Sequence, residues 1–212
     1  MAGTPLGEIR ARSVLQRLRD SEEFFMKQGQ VFSTLERLAL RLKEESIPYA
    51  LVGGLALNLH DYERMTRDID ILMTPQALEK FIERCVGLGY VQAFHGARKS
   101  FHDTATQTLI EILVTGEYPG DGKPKPVSFP DPEASSIEID GIRVITLEKL
   151  IELKLASGLS ASHRLRDLAD AQDLIVIHHL PPEFADKLDP SVRAEYMRLW
   201  EGAQTAPPQS AR

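Results

Sequence analysis

Two extended segments separated by a glycine pair constrain the fold more than any other feature of the sequence. The apolar run at residues 47–52 is typical of a buried strand and leads directly into Gly53-Gly54. Residues 55–60, after the glycines, are typical of a helix. A second strand is predicted at residues 67–72, where apolar and acidic side chains alternate. We expect the chain to fold around a sheet that contains both strands.

The second strand carries two closely spaced carboxylates. On an extended strand Asp68 and Asp70 share one face, while Ile69 and Ile71 lie on the other. Like charges held this close repel unless a cation lies between them. A divalent ion that prefers oxygen ligands meets this need, so the pattern predicts a magnesium site. The alternative is an edge strand with a solvated acidic face.

The glycine pair ahead of the helix is typical of a turn that binds phosphate. Glycine lets the backbone approach a polyphosphate, and the free amides at the start of a helix carry partial positive charge. An isolated Gly-Gly is also found in ordinary turns. Together with the two carboxylates, however, Gly53-Gly54 favours metal-assisted phosphoryl chemistry and hence a nucleotide-handling enzyme.

Two more charged residues interrupt apolar segments. Glu111 lies within a strand predicted over residues 108–114, and burying an unpaired polar group costs about 2–7 kcal/mol, more for a charge. We expect it to be a third ligand of the same ion, and an ion pair with an arginine is the alternative. Lys154 lies within the apolar stripe of a helix that begins at Leu147. It is interpreted as a triphosphate contact, unless its ammonium group extends to solvent.

Other charged residues near these motifs are less informative. Arg64 and Arg67 are candidates for phosphate binding, but pairing with Asp61 or with the metal carboxylates explains them equally well. Asp167 and Asp170 fall on the polar flank of a predicted helix. Periodicity alone therefore predicts that these two side chains are solvated.

The remaining elements follow from apolar periodicity, capping residues and turns. Helices are predicted over residues 21–45, 75–86, 147–158, 162–178 and 190–200, and short strands over residues 90–94, 100–104, 137–139 and 142–145. We divide the chain into a core with an N-terminal helix at residues 1–146, a helical C-terminal subdomain at 147–203 and a disordered tail at 204–212.

A long segment rich in glycine and proline separates two of the predicted strands. It covers residues 115–136 and includes Lys123 and Lys125. Connections of this length are often functional. We predict either that this loop selects the acceptor substrate or that it is a solvated linker.

Composition limits the classes of partner. The 212 residues, 42% of them hydrophobic, suffice for one core, and the net charge of −6 argues against a protein that coats duplex nucleic acid. A local basic patch at residues 10–19 remains an open alternative. The single cysteine, Cys85, lies on the apolar face of a helix and favours a reducing cytoplasm over a disulfide-bonded fold.

The sequence also lacks signals for the membrane and for zinc. No apolar run approaches the length of a membrane span, and the N-terminus lacks the apolar stretch of a signal peptide. We expect a soluble, cytoplasmic protein with no membrane partner. The histidines do not show zinc-ligand spacing; they are His60, His95, His102, His163, His178 and His179.

The order of motifs resembles that of a known superfamily. Val52-Gly53-Gly54, then Asp68-Ile69-Asp70, then Glu111 in a later strand resemble the signature of the DNA polymerase β-like nucleotidyltransferases. Residues 150–156 and 166–170 resemble the matching part of the abortive-infection group, the AbiEii-like toxins and their relatives. The resemblance covers residues 31–178, which is most of the chain.

The resemblance implies an α/β (α+β) nucleotidyltransferase fold. A small mixed β-sheet would be flanked by helices, and a helical C-terminal part would close the site. The family binds two Mg²⁺ ions through its strand carboxylates and a nucleoside triphosphate across the glycine turn. A nucleoside triphosphate such as ATP or GTP would be the substrate, and the sequence leaves the preferred base open.

The resemblance also implies roles for individual residues. Asp68 and Asp70 would bridge the two ions, and Glu111 would ligate the ion that activates the acceptor. Gly53 and Gly54 would face the phosphates.

Lys154 and Asp170 match positions that the abortive-infection group uses, and Asp167 is an alternative to Asp170 because the spacing from the lysine does not decide between them. The sequence departs from the family pattern at two positions. Gly54 stands where many members have serine, which removes a hydroxyl contact to phosphate and leaves the backbone amides. Glu111 stands where aspartate is common.

The sequence therefore predicts a metal-dependent transferase that moves a nucleoside monophosphate from a triphosphate to an acceptor hydroxyl. The acceptor stays open among transfer RNA, a small molecule and a protein, and an AbiEii-type toxin with an antitoxin partner is one form of this function. An alternative is a catalytically silent nucleotide sensor or toxin–antitoxin partner of the same fold. A purely structural domain with ion-paired acids is the third.

Overall fold

The computed structural model describes residues 14–205, with side chains for residues 29–204. Within that range the chain forms one mixed sheet surrounded by helices. The helices are α1 (Val14–Glu44), α2 (Gly53–Leu59), α3 (Pro75–Cys85), α4 (Leu147–Ser160), α5 (Leu165–Ile177) and α6 (Pro190–Thr205). The strands are β1 (Ala50–Val52), β2 (Asp68–Met73), β3 (Tyr90–Gln92), β4 (Ser100–Asp103), β5 (Leu109–Val114), β6 (Ser136–Ile139) and β7 (Ile142–Ile145).

The sheet has seven strands in the order β3-β4-β5-β2-β1-β7-β6. Strand β2 lies at its centre, antiparallel to β1 and parallel to β5. The register places Asp70 between Val52 on β1 and Glu111 on β5. The predicted fold class, a mixed sheet flanked by helices, is confirmed.

Local sequence explains where several elements begin and turn. The hydroxyl of Thr74 caps α3 by accepting a hydrogen bond from the Ala77 amide, and Pro75 occupies the first turn. Thr146 caps α4 in the same way. The predicted Asp140-Gly141 turn joins β6 to β7, with φ angles of 49° and 81° that match a tight hairpin.

One hydrophobic cluster connects the sheet to the helices on both sides. It contains Leu35, Leu38 and Leu42 of α1, and it contains Cys85, which is fully buried as its place on an apolar helix face predicted. The same cluster includes residues of α4, α5 and α6. The division of the chain at residue 146 stays a prediction.

Three predicted elements differ in detail. The N-terminal helix, predicted from residue 21, also includes residues 14–20, and the helix predicted over residues 162–178 begins with a 3₁₀ turn at Ser162–Arg164. Strand β5, predicted over residues 108–114, runs from Leu109 to Val114, and the residues of one face are buried while those of the other are half-buried. Its other face borders a cavity, which is why it tolerates Glu111.

Helix α6 extends to Thr205 and so includes the first two residues of the predicted tail. The rest of that tail and the side chains of the basic patch at residues 10–19 lie outside the described residues. Among the helices of the described range, none is long and apolar enough to cross a membrane.

Candidate active site

Three carboxylates meet on one face of the sheet. Asp68 and Asp70 are two residues apart on β2, and Glu111 is the register partner of Asp70 on the parallel neighbour β5. One oxygen from each side chain lies within 4.8 Å of the other two. The cluster therefore has the size and the oxygen chemistry of a divalent-ion site.

The glycine turn contacts this cluster directly. Gly53 has a φ of +65°, and a Cβ atom on it would lie 1.8 Å from Oδ2 of Asp70. The backbone amide of Gly54 donates a hydrogen bond to the same carboxylate. Position 53 therefore requires glycine for two reasons: its backbone conformation is left-handed, and the Asp70 carboxylate occupies the space of a side chain.

Replacing Gly53 with alanine should disrupt the site more than the fold. A left-handed φ costs a non-glycine residue about 1–2 kcal/mol, and the added methyl group must also displace the Asp70 carboxylate. We expect transfer activity to fall at least about 100-fold, because small displacements of catalytic groups have effects of this size. Thermal unfolding and the transfer rate measure the two effects separately.

Gly87→Ala is the matched control. Gly87 has a φ of +87°, but a Cβ atom there would meet nothing within 4 Å. The Gly87→Ala variant should lose the stability that a left-handed φ costs and should keep the wild-type activity. Equal activity losses in both variants would contradict the role of Gly53.

The crowding of the cluster affects the pKa of Asp70. Removal from water, followed by the charges of Asp68 and Glu111, raises the pKa of Asp70 to about 7. The charge of Lys154 and the hydrogen bond from the Gly54 amide oppose this shift but are weaker. The negative charges of the cluster therefore repel one another, and a bound cation would reduce this repulsion.

Lys154 lies beside the cluster and is held by two acids. Its Nζ atom donates hydrogen bonds to Oδ1 of Asp167 at 2.7 Å and to Oδ2 of Asp170 at 2.8 Å. Only 12% of its side chain is exposed. The alternative in which its ammonium group reaches solvent was therefore wrong.

The prediction that Asp167 and Asp170 are solvated was also wrong. Asp170 is 1% exposed and pairs with Lys154 and Arg64. Asp167 accepts hydrogen bonds from Lys154, Ser157 and Arg164, and its pKa is lowered by these partners despite its burial. Both acids contact Lys154, and Asp167 also lines the cavity; the functional role of either acid stays a prediction.

Close packing of two helices explains why periodicity missed this network. Gly158 of α4 lies against α5, where a Cβ atom would come within 2.5 Å of the Leu168 side chain. The helices approach closely enough for the flank of α5 to meet Lys154. Helical periodicity describes one helix at a time and cannot place that flank.

Arg64 is also fixed beside the site. Its guanidinium pairs with Asp170, and its backbone is clamped by Asn58, which accepts from the Arg64 amide at 2.6 Å and donates to the Arg64 carbonyl at 2.8 Å. Removal from water is the main cause that lowers its pKa. Arg67 is exposed, and phosphate binding by either arginine stays a prediction.

A cavity of about 450 Å³ contains the carboxylate cluster. The glycine turn and Lys154 line it, so the structure brings together most of the residues that the sequence selected. Residues that the sequence did not single out also line the wall, among them Met65, Thr66, Leu113, Glu117, Tyr118, Pro119, Gly120, Phe129, Ser157 and Arg164.

The loop at residues 115–136 forms one side of this cavity, as a selector loop would. The two lysines of the loop, however, are not among the residues that line the cavity. Lys125 donates hydrogen bonds to the Pro119 carbonyl and to Asp121, both at 2.6 Å, and so stabilises the loop internally. Lys123 is 82% exposed, and Tyr118 and Pro119 line the cavity instead.

Comparison with known families decides the superfamily. A family model described as "Uncharacterised nucleotidyltransferase" matches residues 2–193. The chain belongs to this family. The predicted superfamily is confirmed, and so is the prediction of an enzyme of the nucleotidyltransferase type. No curated protein matches the chain.

Two solved structures share the fold of this nucleotidyltransferase, and a third superposes with a lower TM-score. The crystal structure of ANT(2")-Ia in complex with adenylyl-2"-tobramycin superposes with a TM-score of 0.50 at 14% identity, over 80% of this chain and 98% of that one. The solution structure of the antibiotic-resistance factor ANT(2'')-Ia gives 0.50 at 17% identity, over 85% and 100%. An antigenic nucleotidyltransferase-like protein from Paracoccidioides brasiliensis gives 0.45 at 16% identity, over 68% and 75%.

Proposed function

We propose that this protein is a metal-dependent transferase that moves a nucleoside monophosphate from a nucleoside triphosphate to an acceptor hydroxyl. One observation carries the proposal, namely the convergence of Asp68, Asp70 and Glu111 beside a glycine turn inside a cavity. Membership of the nucleotidyltransferase family supports it.

The donor set fits magnesium. All three ligands are carboxylates, and magnesium binds oxygen donors. The nearby cations are already engaged elsewhere, since Lys154 and Arg64 pair with Asp167 and Asp170. The Asp70 pKa, raised to about 7, fits a cluster whose negative charge a bound cation would stabilise. Two ions are proposed, held by Asp68 and Asp70 together, with Glu111 on the acceptor side.

The chain's own residues would orient the triphosphate. Gly53 and Gly54 start helix α2, and the absence of side chains in this turn would let a phosphate approach the backbone closely. Lys154 would add a positive charge in the interior of the cavity, held in position by Asp167 and Asp170. The bound ions would neutralise charge on the departing pyrophosphate and lower the pKa of the acceptor hydroxyl.

The reaction is an in-line substitution at the α-phosphorus. The acceptor oxygen forms a bond to that phosphorus as the bond to the bridging oxygen of pyrophosphate breaks. The products are the nucleotidylated acceptor and pyrophosphate, and the hydroxyl proton is released. Positioning by the glycine turn and charge stabilisation by the cations that the cluster would hold would supply most of the rate.

Labelled nucleotides test this function. The protein is incubated with Mg²⁺ and each nucleoside triphosphate, labelled at the α- or the γ-phosphate, together with fractions of a cell extract as acceptors. We expect the α-label to join one acceptor and the γ-label to leave as pyrophosphate. A γ-label on the acceptor, or nucleotide binding without transfer, would instead support a kinase or a silent sensor.

We also propose which classes of acceptor the protein modifies. We include tobramycin among the acceptors because ANT(2")-Ia, which shares the fold, is seen with adenylyl-2"-tobramycin. Transfer RNA and proteins are the acceptors that an AbiEii-type toxin would favour, and a partner antitoxin would then accompany the chain. Growth arrest on expression that Asp70→Asn relieves would support the toxin, whereas normal growth with transfer to tobramycin would reject it.

A further inference from the structure

We propose that Thr66 is a positioning residue for the Asp68 carboxylate and that Gly54 lacks a side chain in order to accommodate it. The inference rests on the proposed function, since it gives Asp68 the role of a metal ligand. Thr66 precedes β2, and neither the sequence motif nor the family match assigns it a role.

The first observation is a short hydrogen bond. The hydroxyl of Thr66 donates to Oδ1 of Asp68 at 2.6 Å, a distance typical of a bond to an ionised carboxylate. This bond restricts the rotation of the carboxylate and so fixes the direction of its ligand oxygen. Groups that orient a ligand in this way contribute strongly to metal affinity.

The second observation concerns the space above Gly54. A Cβ atom on Gly54 would lie 2.8 Å from both Cβ and Oγ1 of Thr66. The φ of Gly54 lies outside the left-handed region, in contrast to the +65° of Gly53. Backbone conformation therefore permits a side chain at position 54, and Thr66 is what excludes it.

The third observation is that the chain is anchored both before and after Thr66. Asn58 of α2 clamps the backbone of Arg64, two residues before Thr66. Asp68, two residues after it, begins the central strand β2. A short segment that is anchored at both ends therefore positions the Thr66 hydroxyl, and Thr66 lines the cavity.

These contacts form one arrangement around the metal cluster. The Gly54 amide holds Asp70, and the missing side chain of Gly54 makes room for Thr66, which holds Asp68.

Metal affinity tests the inference without requiring turnover. Mn²⁺ binding to the nucleotide-free protein is measured by calorimetry for wild type, Thr66→Val and Thr66→Ser. Valine keeps the shape and removes the hydroxyl, so we expect Mn²⁺ to bind about 10–100-fold more weakly. Serine restores the donor and should bind nearly as tightly as the wild type.

Thr104→Val provides the matched control. Thr104 donates its hydroxyl to the Gly89 carbonyl at 3.1 Å and is not among the residues that line the cavity, so its loss should leave Mn²⁺ affinity unchanged. A merely structural Thr66 would lower the melting temperature of Thr66→Val and leave Mn²⁺ affinity unchanged. That result, or a wild type that binds no Mn²⁺, would overturn the inference.

A double-mutant cycle tests the role of Gly54. Gly54→Ala should weaken Mn²⁺ binding in the wild type, because the methyl group displaces Thr66. In a Thr66→Gly background that methyl group has room, so the added loss should be much smaller. Equal losses in both backgrounds would show that the two positions act independently and would contradict the inference.

The proposed function fails in a different way. If the wild type binds Mn²⁺ but transfers no α-label to any acceptor, the transfer reaction is rejected, while the ratio of Mn²⁺ affinities still decides the role of Thr66. If the wild type transfers the label and Thr66→Val binds Mn²⁺ and reacts like the wild type, only the inference on Thr66 is rejected.

Discussion

Asp70→Asn is expected to abolish nucleotide transfer and to stabilise the metal-free protein at neutral pH. Asparagine preserves the side-chain volume but removes a charged ligand, so activity should fall to background. The fold, however, loses a carboxylate that is costly to ionise, since burial and two acidic neighbours raise its pKa to about 7. Activity and stability should therefore change in opposite directions.

The pH dependence follows from the direction of this shift. Because the folded pKa of Asp70 lies above the unfolded value of 3.8, the folded state holds its proton more tightly, and this group lowers stability as the pH rises from about 4 to about 7. At pH 8 without metal, Asp70→Asn should be more stable than the wild type by on the order of 2–4 kcal/mol. At pH 4 the difference should nearly vanish.

Denaturant unfolding in EDTA at the two pH values measures this effect. Saturating Mg²⁺ should reverse the order, because the wild type gains binding free energy that the variant loses. Glu138→Gln, which removes an exposed carboxylate from edge strand β6, is the control and should change neither quantity. An Asp70→Asn protein with wild-type turnover would refute the metal site.

Lys154→Met should have the second largest effect, mainly on stability. Lys154 pairs with Asp167 and Asp170, and removing one partner of a buried ion pair costs about 3–5 kcal/mol. We expect the lower end of that range, because Arg64 still pairs with Asp170. Loss of the positive charge beside the triphosphate should also lower kcat/KM on the order of 100-fold.

The stability loss of Lys154→Met should depend on pH. Lys154 lowers the pKa of Asp167, so the pair stabilises the fold above the unfolded pKa of the carboxylate and this contribution disappears as the pH falls through the folded value. The difference between variant and wild type should therefore be largest near pH 7 and shrink in acid. A difference that grows toward acid pH would contradict the ion-pair interpretation.

Lys149→Met is the matched control on the same helix. Lys149 pairs with Glu152 at 2.7 Å, but it is more exposed than Lys154, at 32%. Its replacement should cost less stability and leave the kinetics unchanged. If both lysine variants lose activity equally, the loss comes from helix α4 as a whole and not from a charge beside the substrate.

The sequence predicted the part of the site that depends on local patterns. The strand, the glycine turn and the alternation of Asp68 and Asp70 are encoded within 25 consecutive residues, 47–71, where side-chain direction follows from backbone periodicity. Glu111 was found because a carboxylate in an apolar strand needs an explanation. Its proximity to Asp70 follows from the pairing of β2 with β5, which the sequence alone did not give.

The rest of the site depends on packing between distant segments. Asp170 is buried because Gly158 lets α5 approach α4, and no periodicity within α5 contains that contact. Tyr118 lines the cavity because its loop folds back across the site. Thr66 was overlooked because its proposed role depends on its close contact with Gly54. That contact is visible only in the folded chain.

Anomalous diffraction from crystals grown with Mn²⁺ and a non-hydrolysable nucleoside triphosphate tests the central claim most directly. The account predicts anomalous density within about 2.0–2.3 Å of oxygens from Asp68, Asp70 and Glu111, with the triphosphate beside Gly53. Density at a different place, or carboxylates that turn away from one another to pair with arginines, would contradict it.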